Sequence, residues 1–260
     1  MTAESAQRHR RGPFRRQRTV ITLSSMNLSP MNYAGQGSLA SPRASASDAL
    51  WVTYRWMTLG LATTGLVALA VASSPALVDA LFGNRILFFV LLLAQLGLVV
   101  AFSSLALRVS TAVAALMFFS YAALTGITFS TLFLVYTASS IAATFFVTAG
   151  AFAGLSLFGT VTRRDLSAVG RFGFFALIGI ILASVVNMFL RSSGLDWLIT
   201  VVGVLLFAGL TAYDTQRLKE LFQGNETSAN LPLVGALTLY LDFINMFLFL
   251  LRILGGRRRD

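Results

Sequence analysis

The sequence predicts an all-α integral membrane protein with seven transmembrane helices, and three observations carry that reading. Apolar residues make up 56% of the chain and charged residues only 12%, about half the charged share of a soluble globular protein. Mean hydropathy is +0.77. Seven apolar runs reach the roughly 20 residues that a spanning helix needs, at about 51–73, 86–107, 110–135, 139–160, 169–190, 197–216 and 233–254.

The breaks between runs carry stop and start signals. Ser73-Ser74-Pro75 and Gly83-Asn84-Arg85 flank the first connection, and Arg108 interrupts the next. Thr137 to Ser140, Arg163-Arg164-Asp165 and Arg191 to Asp196 mark the following three, and a longer polar stretch from Arg217 to Pro232 precedes the last run. Connections this short make successive helices antiparallel neighbours. Gly126, Gly150, Gly154 and Gly209 suit close helix approach. No internal repeat is evident.

Residues 1–47 form a different regime, rich in Arg, Ser, Ala and Pro and without apolar periodicity, and read as a disordered cytoplasmic tail. An Arg-rich, acid-poor start also fits an organelle transit peptide, or a start codon read too early with Met26 or Met31 as initiator. The body then covers residues 48–256, with 257–260 as a basic end. The net charge of +10 is almost all arginine, Lys219 being the single lysine. Much of it lies in the tail, where it implies attraction to anionic lipid and no nucleic acid. Loop arginines favour a cytoplasmic N-terminus. On that choice Arg257-Arg258-Arg259 falls outside after seven full spans, so a re-entrant last segment stays open as an alternative.

The chain has no cysteine, and its one histidine, His9, lies in the tail. Thiolate sites, disulfides and His-based catalysis in the body are therefore excluded. Asp214 and Asp242 are the acidic residues of the apolar body. An aspartate at the centre of a membrane helix costs roughly 2.5 to 3.5 kcal/mol on insertion scales. Asp242 lies about ten residues into its segment, with Asn245 one turn on. Antiparallel helices can bring the two carboxyls into one pocket, where they share a proton, bind a hard cation such as Ca²⁺, or pair with an arginine. Separate capping, or an Asp214–Arg217 ion pair, is the bland reading. Asn187 reads as a helix–helix hydrogen bond, Arg252 as a snorkelling side chain, and Phe88-Phe89 and Phe172 to Phe175 as lipid-facing or packing residues.

Four stretches together resemble the Bax-inhibitor family, also called the transmembrane Bax-inhibitor-motif family. They are Tyr240-Leu241-Asp242-Phe243-Ile244-Asn245-Met246-Phe247, Ala212-Tyr213-Asp214-Thr215-Gln216, Leu124-Thr125-Gly126-Ile127-Thr128 and Arg163-Arg164-Asp165-Leu166-Ser167, and the likeness spans about residues 50–256. The resemblance implies six helices packed around a central C-terminal helix, in a bacterial inner membrane, with an organelle membrane as the alternative. It implies a pH-sensitive calcium leak governed by a pair of aspartates, which fall on Asp214 and Asp242. An arginine that latches onto the sixth-helix aspartate falls on Arg108. A second-helix position that is Glu in many relatives falls on Gln95, so this chain lacks that charge. Tyr213, Asn245 and Asn187 complete the candidate pathway or support residues. No cofactor is implied; Ca²⁺ is the permeant or bound ion, with Asp214 and Asp242 as its ligands.

Two other functions compete. A membrane-embedded regulator would bind membrane proteases or stress and cell-death proteins without conducting ions. An intramembrane aspartyl protease also uses two aspartates, but it needs Gly-x-Gly-Asp where this chain has Tyr240-Leu241-Asp242, and the bulk there argues for a non-enzyme.

Overall fold

The computed structural model describes residues 45–224 and 228–257; most of the predicted tail, 1–44, lies outside the described residues, as do 258–260 of the basic end. Among the described residues the structure is helical, in the order α1 (Ala46–Ala72), α2 (Pro75–Phe82), α3 (Arg85–Leu105), α4 (Thr111–Phe129), α5 (Leu132–Val135), α6 (Ala138–Val161), α7 (Ser167–Leu190), α8 (Ser193–Gln223) and α9 (Leu231–Leu254). Seven of these, with α4 and α5 counted as one span, are long and apolar enough to cross a membrane. The protein is an all-α integral membrane protein.

Six of the nine helix starts among the described residues carry a side-chain cap. Ser45 and Asp48 form a reciprocal capping box on α1, the Asp48 amide donating to Ser45 Oγ at 3.2 Å and the Ser45 amide to Asp48 Oδ2 at 3.0 Å, which satisfies amides that the helix itself leaves orphaned. Ser74, Asn84, Ser110, Thr137 and Ser192 cap α2, α3, α4, α6 and α8 through their side chains. The small helix α2 was not among the predicted spans. Its signature is Ser74-Pro75 at the start and Gly83 at the end, a cap followed by a proline that needs no amide partner. The run at 110–135 breaks at Ser130-Thr131, leaving α5 as a single turn. Helix α8 extends seven residues past the predicted end at 216, through the charged stretch to Gln223.

Helix α9 is the most buried span. Leu233, Leu239, Tyr240, Met246 and Leu251 are almost inaccessible. Helices α1, α4, α6 and α8 flank it, while α3 packs chiefly on α4 and α7 on α8. The outer helices keep their apolar surface for lipid: Phe89, Phe172, Phe174 and Phe175 are exposed. Small residues set the closest approaches. A Cβ on Gly126 would lie 2.6 Å from the Thr64 carbonyl of α1, and one on Gly159 would collide with the Ala212 backbone of α8. Gly209 meets only Val169, and Gly150 and Gly154 face open space. The predicted role of the last two in close packing is therefore not what the structure shows: their side of α6 has no helix against it.

The ends of α9 settle how it crosses. At its start, Asn230 Nδ2 donates to the Ala106 and Val109 carbonyls, both at 2.7 Å, and Thr111 Oγ1 donates to Asn230 Oδ1 at 2.7 Å. At its far end the Thr137 amide donates to the Gly256 carbonyl at 3.2 Å, and the Gly256 amide to Ser140 Oγ at 3.0 Å. Ala106–Thr111 and Thr137–Ser140 lie at opposite ends of the α4–α5 span, so α9 runs the full length of that span. One face then holds Ser45, the α3–α4 turn, the α6–α7 loop and the α8–α9 connection; the other holds α2, Tyr136, Arg191 and the end of α9. The first face is the more basic, with Arg55, Arg108, Arg163, Arg164, Arg171, Arg217 and Lys219.

This topology predicts the outcome of thiol labelling in the cysteine-free chain. Ser228→Cys and Ser193→Cys, both exposed, should react with a membrane-impermeant maleimide from opposite sides of sealed, uniformly oriented vesicles. Reaction of both from the same side would overturn seven complete crossings.

Candidate functional site

Helices α8 and α9 run antiparallel and pack extensively, and that pairing brings Asp214 and Asp242 together. Their side chains are hydrogen-bonded to each other. Asp242, near the middle of α9, is 5% exposed; its Oδ2 is buried and has no hydrogen-bond partner. An ionised carboxylate is an acceptor only, so a hydrogen bond between two carboxyls requires a proton on one of them. The two carboxyls are close enough to act on each other's charge. Asp214 is half-buried, and the Arg217 charge one turn along α8 acts on it.

The residues beside Asp214 anchor α8 to α6 and to the loop after it. Gln216 Nε2 donates to the Arg164 carbonyl at 2.8 Å, and the Leu166 amide donates to Gln216 Oε1 at 2.9 Å. Thr215 Oγ1 donates to Ser156 Oγ at 3.4 Å, and Lys219 Nζ to the Thr160 carbonyl at 2.8 Å. Within that loop the Ser167 amide donates to Asp165 Oδ1 at 2.8 Å, and hydrogen bonds from Ser167 hold the Asp165 carboxyl below its ordinary range. The stretches around Asp214 and Arg163–Ser167 are therefore one contact region.

A second polar cluster lies where α9 meets α1 and α4. Tyr240 Oη and Thr64 Oγ1 are 2.6 Å apart, and Thr64 Oγ1 is 2.9 Å from the Ala122 carbonyl to which it donates. Thr125 also contacts the Tyr240 hydroxyl. Gln95 Nε2 donates to Thr125 Oγ1 at 3.3 Å, and Thr128 Oγ1 donates to Gln95 Oε1 at 3.3 Å. Gln95 thus links α3 to α4 and is not part of the carboxyl pair.

The other predicted site residues are elsewhere. Arg108 is exposed in the α3–α4 turn and does not reach Asp214; among the described residues the ion pair within 4.0 Å is Arg252–Asp196, at 3.6 Å on the opposite face. The reason is the Asn230 clamp, which ties the Arg108 turn to the start of α9, well away from its middle. Asn245 Nδ2 donates to the Leu241 carbonyl of its own helix at 2.8 Å. Asn187 is not an interhelical bond: its Oδ1 accepts from the Ser192 amide at 2.9 Å, closing α7 around Arg191, whose φ is +51°. Tyr213 turns away from the pair and lies over Gly170 of α7. Sequence reasoning missed Asn230 and gave Gln216 no role of its own. The signal for Asn230 was its place directly before Leu231-Pro232, a helix start.

The pair offers a calcium ion two acidic side chains. Calcium takes six to eight oxygens, and among the described residues no group of three or more His, Cys, Asp or Glu converges. Two carboxyls bonded to each other suit a proton, or a cation in passage.

Comparison with known proteins decides the family: the model described as inhibitor of apoptosis-promoting Bax1 matches residues 47–259. The chain belongs to the Bax-inhibitor family. Among its relatives, the inner membrane protein YbhL of Escherichia coli K12 is 50% identical over 226 residues, covering 85% of this chain and 97% of YbhL. A protein of Borreliella burgdorferi is 44% identical over 208 residues, 78% of this chain and 90% of its own length. One from Caulobacter vibrioides is 42% identical over 221 residues, 79% and 87% of the two chains. In this Bax-inhibitor family member the four stretches that carry the resemblance converge on two places, the α6–α8–α9 contact and the α1–α4–α9 contact.

The Asn230 clamp generates a stability prediction. Asn230→Ala leaves two carbonyls and a hydroxyl without their partner, costing roughly 1 to 3 kcal/mol. Thermal unfolding of the detergent-solubilised protein should show a lower midpoint for Asn230→Ala than for the wild type. An unchanged midpoint would mean that the turn holds itself.

Proposed function

We propose that this protein is a pH-gated cation leak, with Ca²⁺ as the permeant ion, in a bacterial inner membrane, and that the Asp214–Asp242 pair is its gate. The observation that carries the reading is two hydrogen-bonded carboxyls inside a membrane bundle, one of them with a buried, unpartnered oxygen. The printed name of the E. coli relative supports the membrane assigned, and the more basic face is assigned to the cytoplasm by loop charge.

The shared proton ties α8 to α9 in the closed state. Removing it leaves two like charges in contact, which repel by about 4 kcal/mol at 4 Å in an effective dielectric of 20. That energy is enough to part a helix pair locally. It also turns the pair into a divalent-cation site in place of a proton site, so Ca²⁺ and H⁺ compete for it. Arg217 tempers the charge on the Asp214 side. Flux therefore rises as pH rises and falls as the pair regains its proton. No enzymatic step is assigned to Asp242, which is 5% exposed.

Calcium uptake into vesicles holding only this protein, followed over a pH series, tests the reading. The wild type should conduct more at alkaline than at acidic pH. Asp242→Asn keeps a hydrogen-bond donor for Asp214 but has no proton to lose, so its flux should stay low and flat. The loss at alkaline pH should be at least tenfold, which needs only roughly 1.4 kcal/mol of that repulsion to reach the gate. A wild-type pH slope in Asp242→Asn would remove the pair from the mechanism. No flux above protein-free vesicles would point instead to a regulator that binds other membrane proteins.

A further inference from the structure

Helices α1 and α6 both pack on α9 but barely on each other, and the gap between them is a crevice of about 1060 Å³. Its floor is Phe243, Ile244 and Phe247 of α9, and neither Asp214 nor Asp242 lines it. Phe243 closes it off from below by edge-on contacts with Phe145 and Phe152, at ring separations of 5.4 and 5.6 Å. The volume is at the upper end of the 300–1,000 Å³ typical of ligand pockets. It is a feature separate from the carboxyl pair.

We propose that this crevice is a binding site for one anionic phospholipid of the surrounding bilayer. The acyl chain lies between α1 and α6, and the phosphate sits at the basic face. Three observations favour this occupant. The crevice follows α1 from Tyr54 to Leu69, about 22 Å at 1.5 Å per residue, which exceeds the roughly 15 Å of one leaflet. Its walls are apolar along that length, so a hydrocarbon chain is the matching content. Most of its hydroxyls lie toward one end, on Tyr54, Thr58, Ser156 and Thr160, while Thr64 further along is already bonded to Ala122 and Tyr240. The Tyr54 hydroxyl oxygen is buried without a hydrogen-bond partner. Buried hydroxyls are nearly always bonded; a small turn of the half-buried Tyr54 ring into the crevice brings its hydroxyl to a lipid ester or phosphate oxygen.

Charge complements that end. Half-buried Lys219 is held over the rim by its 2.8 Å bond to the Thr160 carbonyl, which uses one of its three donors. Arg55 and Arg163 are exposed nearby in sequence, beside Tyr54 and just past the end of α6. No acidic residue lines the crevice. A lysine at a membrane surface attracts an anionic lipid by about 1 kcal/mol, a preference of roughly fivefold over a zwitterionic one.

The test is native mass spectrometry of the full chain released from nanodiscs made of equal phosphatidylglycerol and phosphatidylethanolamine. One phosphatidylglycerol should persist on the wild type after the rest of the shell is stripped. Gly65→Phe with Ala153→Phe fills the crevice. A Cβ on Gly65 meets nothing within 4 Å, and losing a helical glycine favours the helix, so this variant should fold. It should lose the retained lipid. Lys219→Gln should keep a lipid but lose the roughly fivefold preference for phosphatidylglycerol. Equal retention by the filled variant and the wild type would overturn the site, as would a wild type that holds no lipid beyond the general shell. Undiminished selectivity in Lys219→Gln would overturn the headgroup assignment. The readout is bound lipid, so it stands or falls independently of ion flux.

Discussion

Two carboxyl groups in an apolar bundle are the constraint around which the rest of this structure is arranged. Either one alone at mid-membrane would carry the full cost of a desolvated charge or of an unbonded acid. Placed in contact, they need only one proton between them and satisfy part of each other's hydrogen bonding. That contact fixes the register of α8 against α9, because shifting either helix by a residue rotates its carboxyl about 100° away. The neighbouring contacts hold the register from outside. Gln216 and Lys219 fasten the basic-face end of α8 to α6 and its loop, and Asn230 fastens the start of α9 to the turn between α3 and α4.

Helix α9 can occupy the interior because its polar groups are bonded locally. Thr238 donates to Val234 and Asn245 to Leu241 within the helix, while Tyr240 reaches Thr64 of α1. The atom left without a partner on this helix is Asp242 Oδ2. Buried polar networks are costly when half satisfied, so the unsatisfied group marks where the bundle holds back stability. Around it the packing is aromatic and tight, with Tyr240 between Phe118 and Tyr121 and Phe243 against Phe145 and Phe152. A rigid helix with one unsatisfied carboxyl is a suitable element for a switch.

The seven spans were legible because hydropathy over 20 residues is a strong signal in a chain with so few charges. Helix α2 was not, since eight residues between two caps fall below any spanning window, although Ser74-Pro75 and Gly83 mark its ends. The meeting of Asp214 and Asp242 was legible from antiparallel connectivity and from the cost of leaving either acid alone. Arg108 was misplaced for a physical reason: a sequence shows a charge that could pair, but not the Asn230 clamp that keeps its turn at the bilayer edge. Asn187 was misread because a helix-closing side-chain bond and an interhelical one have the same composition. The crevice had no sequence signal, since it arises from two helices that share a neighbour without touching, and Gly150 and Gly154 looked like packing residues for the same reason.

The distribution of the remaining acids narrows the cause of any pH response in the bundle. Asp48, Asp79, Asp165, Asp196 and Glu220 are all exposed at helix ends or in loops, where water and salt screen them. On α3 this chain has Gln95, whose amide is occupied by Thr125 and Thr128. The single histidine is outside the described residues. Among the described residues, the acids left inside the bundle are the pair on α8 and α9. On the proposed reading the two act on each other, so a pH response carried by them has a single origin. Gln95 adds no third charge to the bundle, so on the proposed reading the two carboxyls of α8 and α9 act alone.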